Sequence, residues 1–201
     1  MTQAKAPNQP FKADIEAIRN RARAQMYDGA VTKAYMADRD RVLTVLNEVL
    51  ATEIVCVLRY KSHFYRAKGI ARDAVADEFL EHAAEEQTHA DMVCERITQL
   101  DGDPNLNPEG LASRSHSEYR NGETLADLIK EDLVAERIAI ETYSEIVRWL
   151  GDDDPTTRRM MESILAMEEE HASDLNDLLG GVAGEDVHAS RNGAAASKAK
   201  K

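Results

Sequence analysis

Glu86 and His89 stand three residues apart, and Glu168 and His171 repeat that spacing. A separation of three puts both side chains on one face of an α-helix. In each case the face is an odd one for a polar pair. Phe79, Ala83, Ala90, Val93, Ile97 and Leu100 mark the first as a core seam, and Met161, Leu165, Leu175 and Leu178 mark the second. Each pair is preceded by another seam glutamate, Glu53 at 33 residues and Glu136 at 32. Seven residues after each of those comes a tyrosine, Tyr60 or Tyr143. The local text repeats as well: TEIVCVLRY against AERIAIETY, and EEQTHA against EEEHA.

Four carboxylates converging on a dry interior cannot all stay ionised unaided. Burying one alone costs on the order of tens of kcal/mol by a Born argument, and the group protonates instead. Two divalent cations would cancel the four charges. Carboxylate with imidazole suits iron or manganese better than calcium, which takes oxygen alone, or structural zinc, which favours thiolate. Helical bundles that hold two iron or manganese ions are known to use this ligand set, so the pattern is a recognised one. One Glu-x-x-His is a weak signal that usually marks a solvated face. Two of them, each with its own upstream glutamate, are specific.

The elements that must position these residues are long. Prolines fall at 7, 10, 104, 108 and 155, while Gly69, Gly102, Gly151 and Gly180-Gly181 each follow a periodic segment, where a helix ends. Asp154-Pro155 reads as an N-cap followed by proline at the first helical position. Four helices are thereby predicted near 38–68, 71–101, 122–150 and 155–179, each with an apolar stripe interrupted near its middle by one glutamate. Short links make the first and second, and the third and fourth, antiparallel hairpins. The stretch between Gly102 and Gly122, DPNLNPEGLASRSHSEYR, is long enough to cross the bundle and start the third helix at the opposite end. The expected fold is therefore all-α: a four-helix bundle over 38–179 with a long crossover between its second and third helices. An N-terminal extension, 1–37, carries a short amphipathic helix near 11–28 (Phe11, Ile15, Ile18, Ala22, Met26), and 180–201 reads as a flexible polar and basic tail.

Composition sets bounds on function. A net charge of −12 disfavours nucleic acid as a partner of the folded surface and favours cations. MTQAKAPNQP holds no apolar run of the secretory-leader kind, and no run of 18 apolar residues exists, so neither secretion nor a membrane partner is expected. Cys56 and Cys94 form neither a disulfide framework nor a CxxC pair. A cytoplasmic protein is the plain reading.

Over about residues 38–179 the chain resembles the ferritin-like superfamily, and bacterioferritins most closely. TEIVCVLRYKSH, EEQTHADMVCERITQLDGDPNL, DLVAERIA and ILAMEEEHASDL carry the likeness. It implies a hollow homo-oligomeric cage that stores iron and a ferroxidase centre oxidising ferrous iron with dioxygen or hydrogen peroxide. By the same likeness Glu86 and Glu168 would bridge two iron ions per subunit, Glu53 and Glu136 would be terminal ligands, and His89 and His171 would cap one metal each. Tyr60 matches a tyrosine beside that centre. Bacterioferritin haem is held by a methionine directly after the bridging glutamate of the second helix. Gln87 occupies that position, so haem is not expected. The longer crossover and the N-terminal helix are further departures.

Other residues have plainer readings. Tyr60 and Tyr143 could bond ligand carboxylates or donate an electron during oxidation, which would make Tyr60 a catalytic residue, or they could fill the seam. His63 reads as a partly exposed polar residue, His82 as surface or as support behind the ligands, Asp132 as solvated ahead of orienting a histidine or gating metal entry, Glu81 and Glu85 as polar-face acids ahead of lining an inner surface that attracts ferrous ions, and the two cysteines as small core residues. Three rival functions stay open, of which rubrerythrin-like peroxide reduction is disfavoured because no CxxC…CxxC module is present. Di-manganese catalase chemistry would use the same ligands. A DNA-protecting mini-ferritin would use Arg191, Lys198, Lys200 and Lys201 of the tail, although four charges bind DNA weakly at physiological salt.

Overall fold

The computed structural model describes residues 12–26, 29–69 and 72–198, with side chains as far as 182. Its elements are α1 (Ile15–Ala24), α2 (Arg39–Arg66), α3 (Arg72–Gln99), α4 (Leu111–Arg114), α5 (Leu125–Leu150) and α6 (Pro155–Lys198). No strand occurs among the described residues. The bundle is built from two hairpins, α2 with α3 and α5 with α6, which dock through α2 on α5 and α3 on α6.

Sequence chemistry accounts for the helix ends. Asp38 caps α2 by accepting the Arg41 amide, Thr124 and Asp127 form a capping box on α5, and Asp154 accepts the Thr157 amide ahead of Pro155. At the end of α3 the left-handed residue is Asp101, at φ 60°, and Gly102 follows it. Gly102 is needed for closeness rather than conformation, because a Cβ there would lie 2.4 Å from Leu43 Cδ2.

The crossover, with the single turn α4 inside it, is strapped lengthwise to α2. Asn47 accepts the Asn105 amide, Thr52 accepts the His116 amide, Arg59 donates to Ser117, His63 to the Arg120 carbonyl and Arg66 to the Gly122 carbonyl. Those contacts run down the helix in order, so α5 begins at the far end, as the length of the segment requires. Gly122 permits the last bend, since a Cβ would meet the Leu128 amide nitrogen at 2.5 Å.

Two differences from the expected boundaries stand out. The final helix passes through Gly180 and Gly181 and continues to Lys198, where a flexible tail was expected from 180. Two interior glycines cost only about 1 kcal/mol each relative to alanine, and Val182 is buried in the lower core cluster beyond them. The side chains of Arg191 and Lys198 lie outside the described residues, as do Lys200 and Lys201 altogether. The N-terminal helix is shorter than 11–28, running from the Asp14 cap to Ala24, with no buried residue; Phe11 lies outside the described residues. Ile15 and Ile18 are close to half exposed.

The core is divided. One apolar cluster packs Val42, Leu46, Leu50, Val93, Ile97, Ile146, Met161 and Ile164 at one end. The other packs Val75, Phe79, Ala83, Leu128, Ile129 and Leu175. Between them, at mid-height, lies a polar layer.

Candidate metal centre

That layer consists of Glu53 from α2, Glu86 and His89 from α3, Glu136 from α5, and Glu168 and His171 from α6. All six are at least 96% buried. Each hairpin thus delivers one glutamate from its first helix and a Glu-x-x-His face from its second. The donor atoms fall into two groups, Glu53/Glu86/His89/Glu168 and Glu86/Glu136/Glu168/His171, each with its atoms within 4.8 Å of one another. Glu86 and Glu168 belong to both.

The pseudo-twofold shows in the contacts. His89 Nδ1 lies 3.4 Å from Glu53, 3.4 Å from Glu86 and 3.3 Å from Glu168. His171 Nδ1 lies 3.9 Å from Glu136, 3.6 Å from Glu86 and 3.4 Å from Glu168. Tyr143 donates its hydroxyl hydrogen to Glu53 Oε1, and Tyr60 does the same for Glu136 Oε1. Each tyrosine thereby holds one oxygen of a carboxylate on the opposite hairpin and leaves the other oxygen facing the layer. His171 Nε2 donates to Glu85 Oε2 at 2.9 Å, which leaves Nδ1 and its lone pair turned inward.

What the layer lacks is donors. Glu53 Oε2, Glu86 Oε1, His89 Nδ1, Glu136 Oε2, both oxygens of Glu168 and His171 Nδ1 are buried with no hydrogen-bond partner. Groups of this kind are costly when left unmatched, and native interiors rarely leave them so. In the metal-free molecule only protons can offset the charge. Burial pulls the His89 imidazole down, yet the carboxylates of Glu168, Glu53 and Glu86 gathered around Nδ1 outweigh it and push the group up to about 12. His171 is raised for the same reason by Glu136, Glu168 and Glu86. Burial and the charge of Glu86 push Glu53 well above the usual carboxylate range, and burial with Glu53 and Glu136 raises Glu168. Glu136 goes the other way: burial would raise it, but His171, Glu168 and Arg59 hold it low. The donor set fits two divalent cations in place of those protons, one per group, with two carboxylates common to both.

Several residues sit elsewhere than their sequence reading put them. His63 and Asp132, read as partly exposed and solvated, are fully buried. Asp132 accepts from Arg59 Nε and contacts His63 Nδ1, each at 2.8 Å. Arg59 went unremarked in the sequence. The signal was there: Arg59, His63 and Asp132 fall within one turn of the seam positions Tyr60 and Glu136, so opposite charges share one buried face. Glu85, read as a polar-face acid, supports His171. His82 is buried; it meets the Tyr60 hydroxyl at 3.2 Å and stacks on His171 with ring centroids 4.1 Å apart. Burial and then His171 hold it down near 4. Cys56 is buried, and Gln87 is exposed, donating to Asp91.

A bundle of two pseudo-equivalent hairpins around a carboxylate and imidazole layer defines a class of protein. The chain belongs to the ferritin family, whose ferritin-like domain matches residues 43–183. It is 29% identical to a bacterioferritin of Brucella melitensis over 171 residues, covering 82% of this chain and 100% of that one. It is 28% identical to a Mycobacterium leprae bacterioferritin over 153 residues, 75% of this chain and 92% of the relative. Among solved structures, a dodecameric thioferritin, the bacterioferritin-related protein of Bacteroides fragilis, superposes with a TM-score of 0.72 at 32% identity, covering 76% of this chain and 92% of that one. A Dps protein of Thermosynechococcus elongatus superposes with a TM-score of 0.67 at 22% identity, over 70% and 90% of the two chains, and shows the shared fold. Among the described residues no helix is long and apolar enough to cross a membrane.

Proposed function

We propose that this protein is an iron-storage ferroxidase, with ferrous iron as its substrate at the layer of Glu53, Glu86, His89, Glu136, Glu168 and His171. The observation that carries the reading is the set of donorless buried atoms arranged as two groups sharing Glu86 and Glu168. In this reading Glu53 and His89 belong to one ion, Glu136 and His171 to the other, and Glu86 and Glu168 to both. Two ferrous ions give up one electron each, which matches the two-electron reduction of dioxygen with two protons to hydrogen peroxide, or of peroxide with two protons to two waters. The chain's own part is electrostatic and positional. Tyr60 and Tyr143 fix the terminal carboxylates, Glu85 fixes the His171 tautomer, and the apolar clusters above and below keep bulk water from the layer. Bacterioferritin relatives at 28–29% identity over most of both chains support iron as the metal; the donors alone suit manganese equally.

A homo-oligomeric cage accompanies this function. Dodecameric assembly of the related Bacteroides fragilis protein supports it, as do the exposed apolar side chains Leu58, Tyr65, Val134 and Trp149. Mass measurement in solution checks it, and a monomer at micromolar concentration would overturn it.

The deciding experiment is anaerobic ferrous titration followed by oxygen. The expected result is rapid oxidation of two ferrous ions per chain, lost in Glu86→Ala. Oxidation at the wild-type rate in that variant would overturn the centre. Peroxide dismutation by the manganese-loaded protein, without ferrous oxidation by the iron-free chain, would instead favour a catalase.

A further inference from the structure

One turn beyond the dinuclear layer, towards the lower core, three more donors converge. Glu78 and His82 lie on α3 and Asp174 on α6, with ligand atoms within 4.8 Å of one another. The group is not a surface patch of acids, because its imidazole is 98% buried. The Tyr60 hydroxyl hydrogen is committed to Glu136, so the tyrosine oxygen must accept from His82 Nδ1–H. That fixes the neutral ring with its lone pair on Nε2. Nε2 faces Glu78 Oε1 at 3.3 Å, and a carboxylate oxygen is also an acceptor. In the neutral ring two acceptors thus face one another at Nε2 and Glu78, and Asp174 brings a third donor atom within 4.8 Å of both. A cavity of about 440 Å³ opens onto Glu78, Asp174 and Asp177, so these donors are reached from outside without crossing the apolar clusters.

We infer that Glu78, His82 and Asp174 form a third divalent-cation site, distinct from the dinuclear layer. A cation resolves the acceptor–acceptor contact, offsets the carboxylates and takes the lone pair that the Tyr60 bond orients. The position has a consequence for its neighbours. His82 also lies within 4.8 Å of donor atoms of Glu85 and His171, so one imidazole stands between the outer carboxylates and the layer. An ion at the outer site is one ligand exchange away from the residues that hold His171.

Equilibrium binding of cobalt(II), which dioxygen does not oxidise readily in such sites, tests the assignment on the full chain. Glu78 and Asp174 are both partly exposed, so Glu78→Gln with Asp174→Asn leaves the core intact, which circular dichroism checks. The double variant is expected to bind one cobalt fewer per chain than wild type while keeping the pair in the layer. Glu86→Ala is expected to lose the pair and keep the outer ion, which then disappears when all three substitutions are combined. Unchanged stoichiometry in the double variant overturns the third site. Loss of every ion in Glu86→Ala overturns its independence. If Glu86→Ala binds as wild type does while the double variant still loses one ion, the outer site stands and the dinuclear reading fails.

Discussion

The bundle buries charge in two ways, and the two lie within a few residues of one another. Arg59, His63 and Asp132 form a closed set: the guanidinium reaches Asp132 at 2.8 Å and Ser117 at 3.0 Å, while His63 spans Asp132 and the Arg120 carbonyl. Arg96, Asp154 and Thr157 close a second set at the other end, joined by the Tyr35 hydroxyl. None of these atoms appears among the buried groups without a partner. The glutamate–histidine layer between them is open: it brings four carboxylates and two imidazoles together and leaves seven atoms donorless. Closed sets hold the helices and crossover in register. The open layer needs added positive charge, which protons supply in the metal-free chain and which the cations proposed above would supply instead.

The comparison breaks most sharply under mutation. Asp132→Ala leaves Arg59 buried and unpaired and is expected to cost about 3–5 kcal/mol in chemical denaturation, whether or not metal is present. Glu168→Gln in chelator-treated protein replaces a carboxyl that burial, Glu53 and Glu136 already keep protonated, so stability should hold within about 1 kcal/mol or rise. Metal binding by that variant is expected to weaken on the order of 100-fold. Equal losses of stability in the two metal-free variants would erase the distinction between closed and open.

pH sharpens it further, because the two kinds of group have opposite signs. His89, pushed up to about 12, and Glu168, also raised, keep protons in the folded metal-free chain that the unfolded chain releases. Their contribution is complete at low pH and is lost as pH rises, from about 4.5 for the carboxyl and about 6.5 for the imidazole. Asp154 behaves the other way. Burial would raise it, but Thr157 and Arg96 hold it low, so its contribution is lost as pH falls below about 4. Calorimetry should find Tm of the metal-free protein falling between pH 5 and about 9, and rising or flat with saturating cation, which displaces the protons. A metal-free Tm that rises over that range would contradict the assignment. The smallest expected effect is Tyr143→Phe. Losing one bond to Glu53 should cost about 1 kcal/mol or less in denaturation and leave two metals bound.

The open layer was legible in the sequence, and the closed sets were not. Glu53, Glu86, Glu136 and Glu168 interrupt stripes that are otherwise apolar, and the spacing repeats, so period and chemistry point the same way. Asp132 and His63 offered no repeat. A polar residue one turn from a seam is buried only if a partner arrives from another helix, and that partner, Arg59, is itself recognisable only once α2 and α5 are docked. Arg96 reaches Asp154 across 58 residues in the same manner. The helix ends were partly legible. Gly151 and Asp154 behave as expected, whereas Gly102 follows the left-handed residue instead of occupying it, and Gly180-Gly181 do not stop α6. A glycine pair is a weak stop when an apolar residue beyond it, here Val182, still finds a core to join.

The division of the six residues between two hairpins has a kinetic side. Each four-residue group takes three donors from one hairpin and one from the other: Glu168 completes the group of α2 and α3, and Glu86 completes that of α5 and α6. Each hairpin can form from contacts close in the chain, while the docking of the pair must wait for the long crossover to close. Ions held by these groups would bind the docked state selectively, acting as a latch between halves that otherwise assemble last. Unfolding must then open that latch before the hairpins separate, so loading should slow the escape from the native state far more than it speeds arrival there.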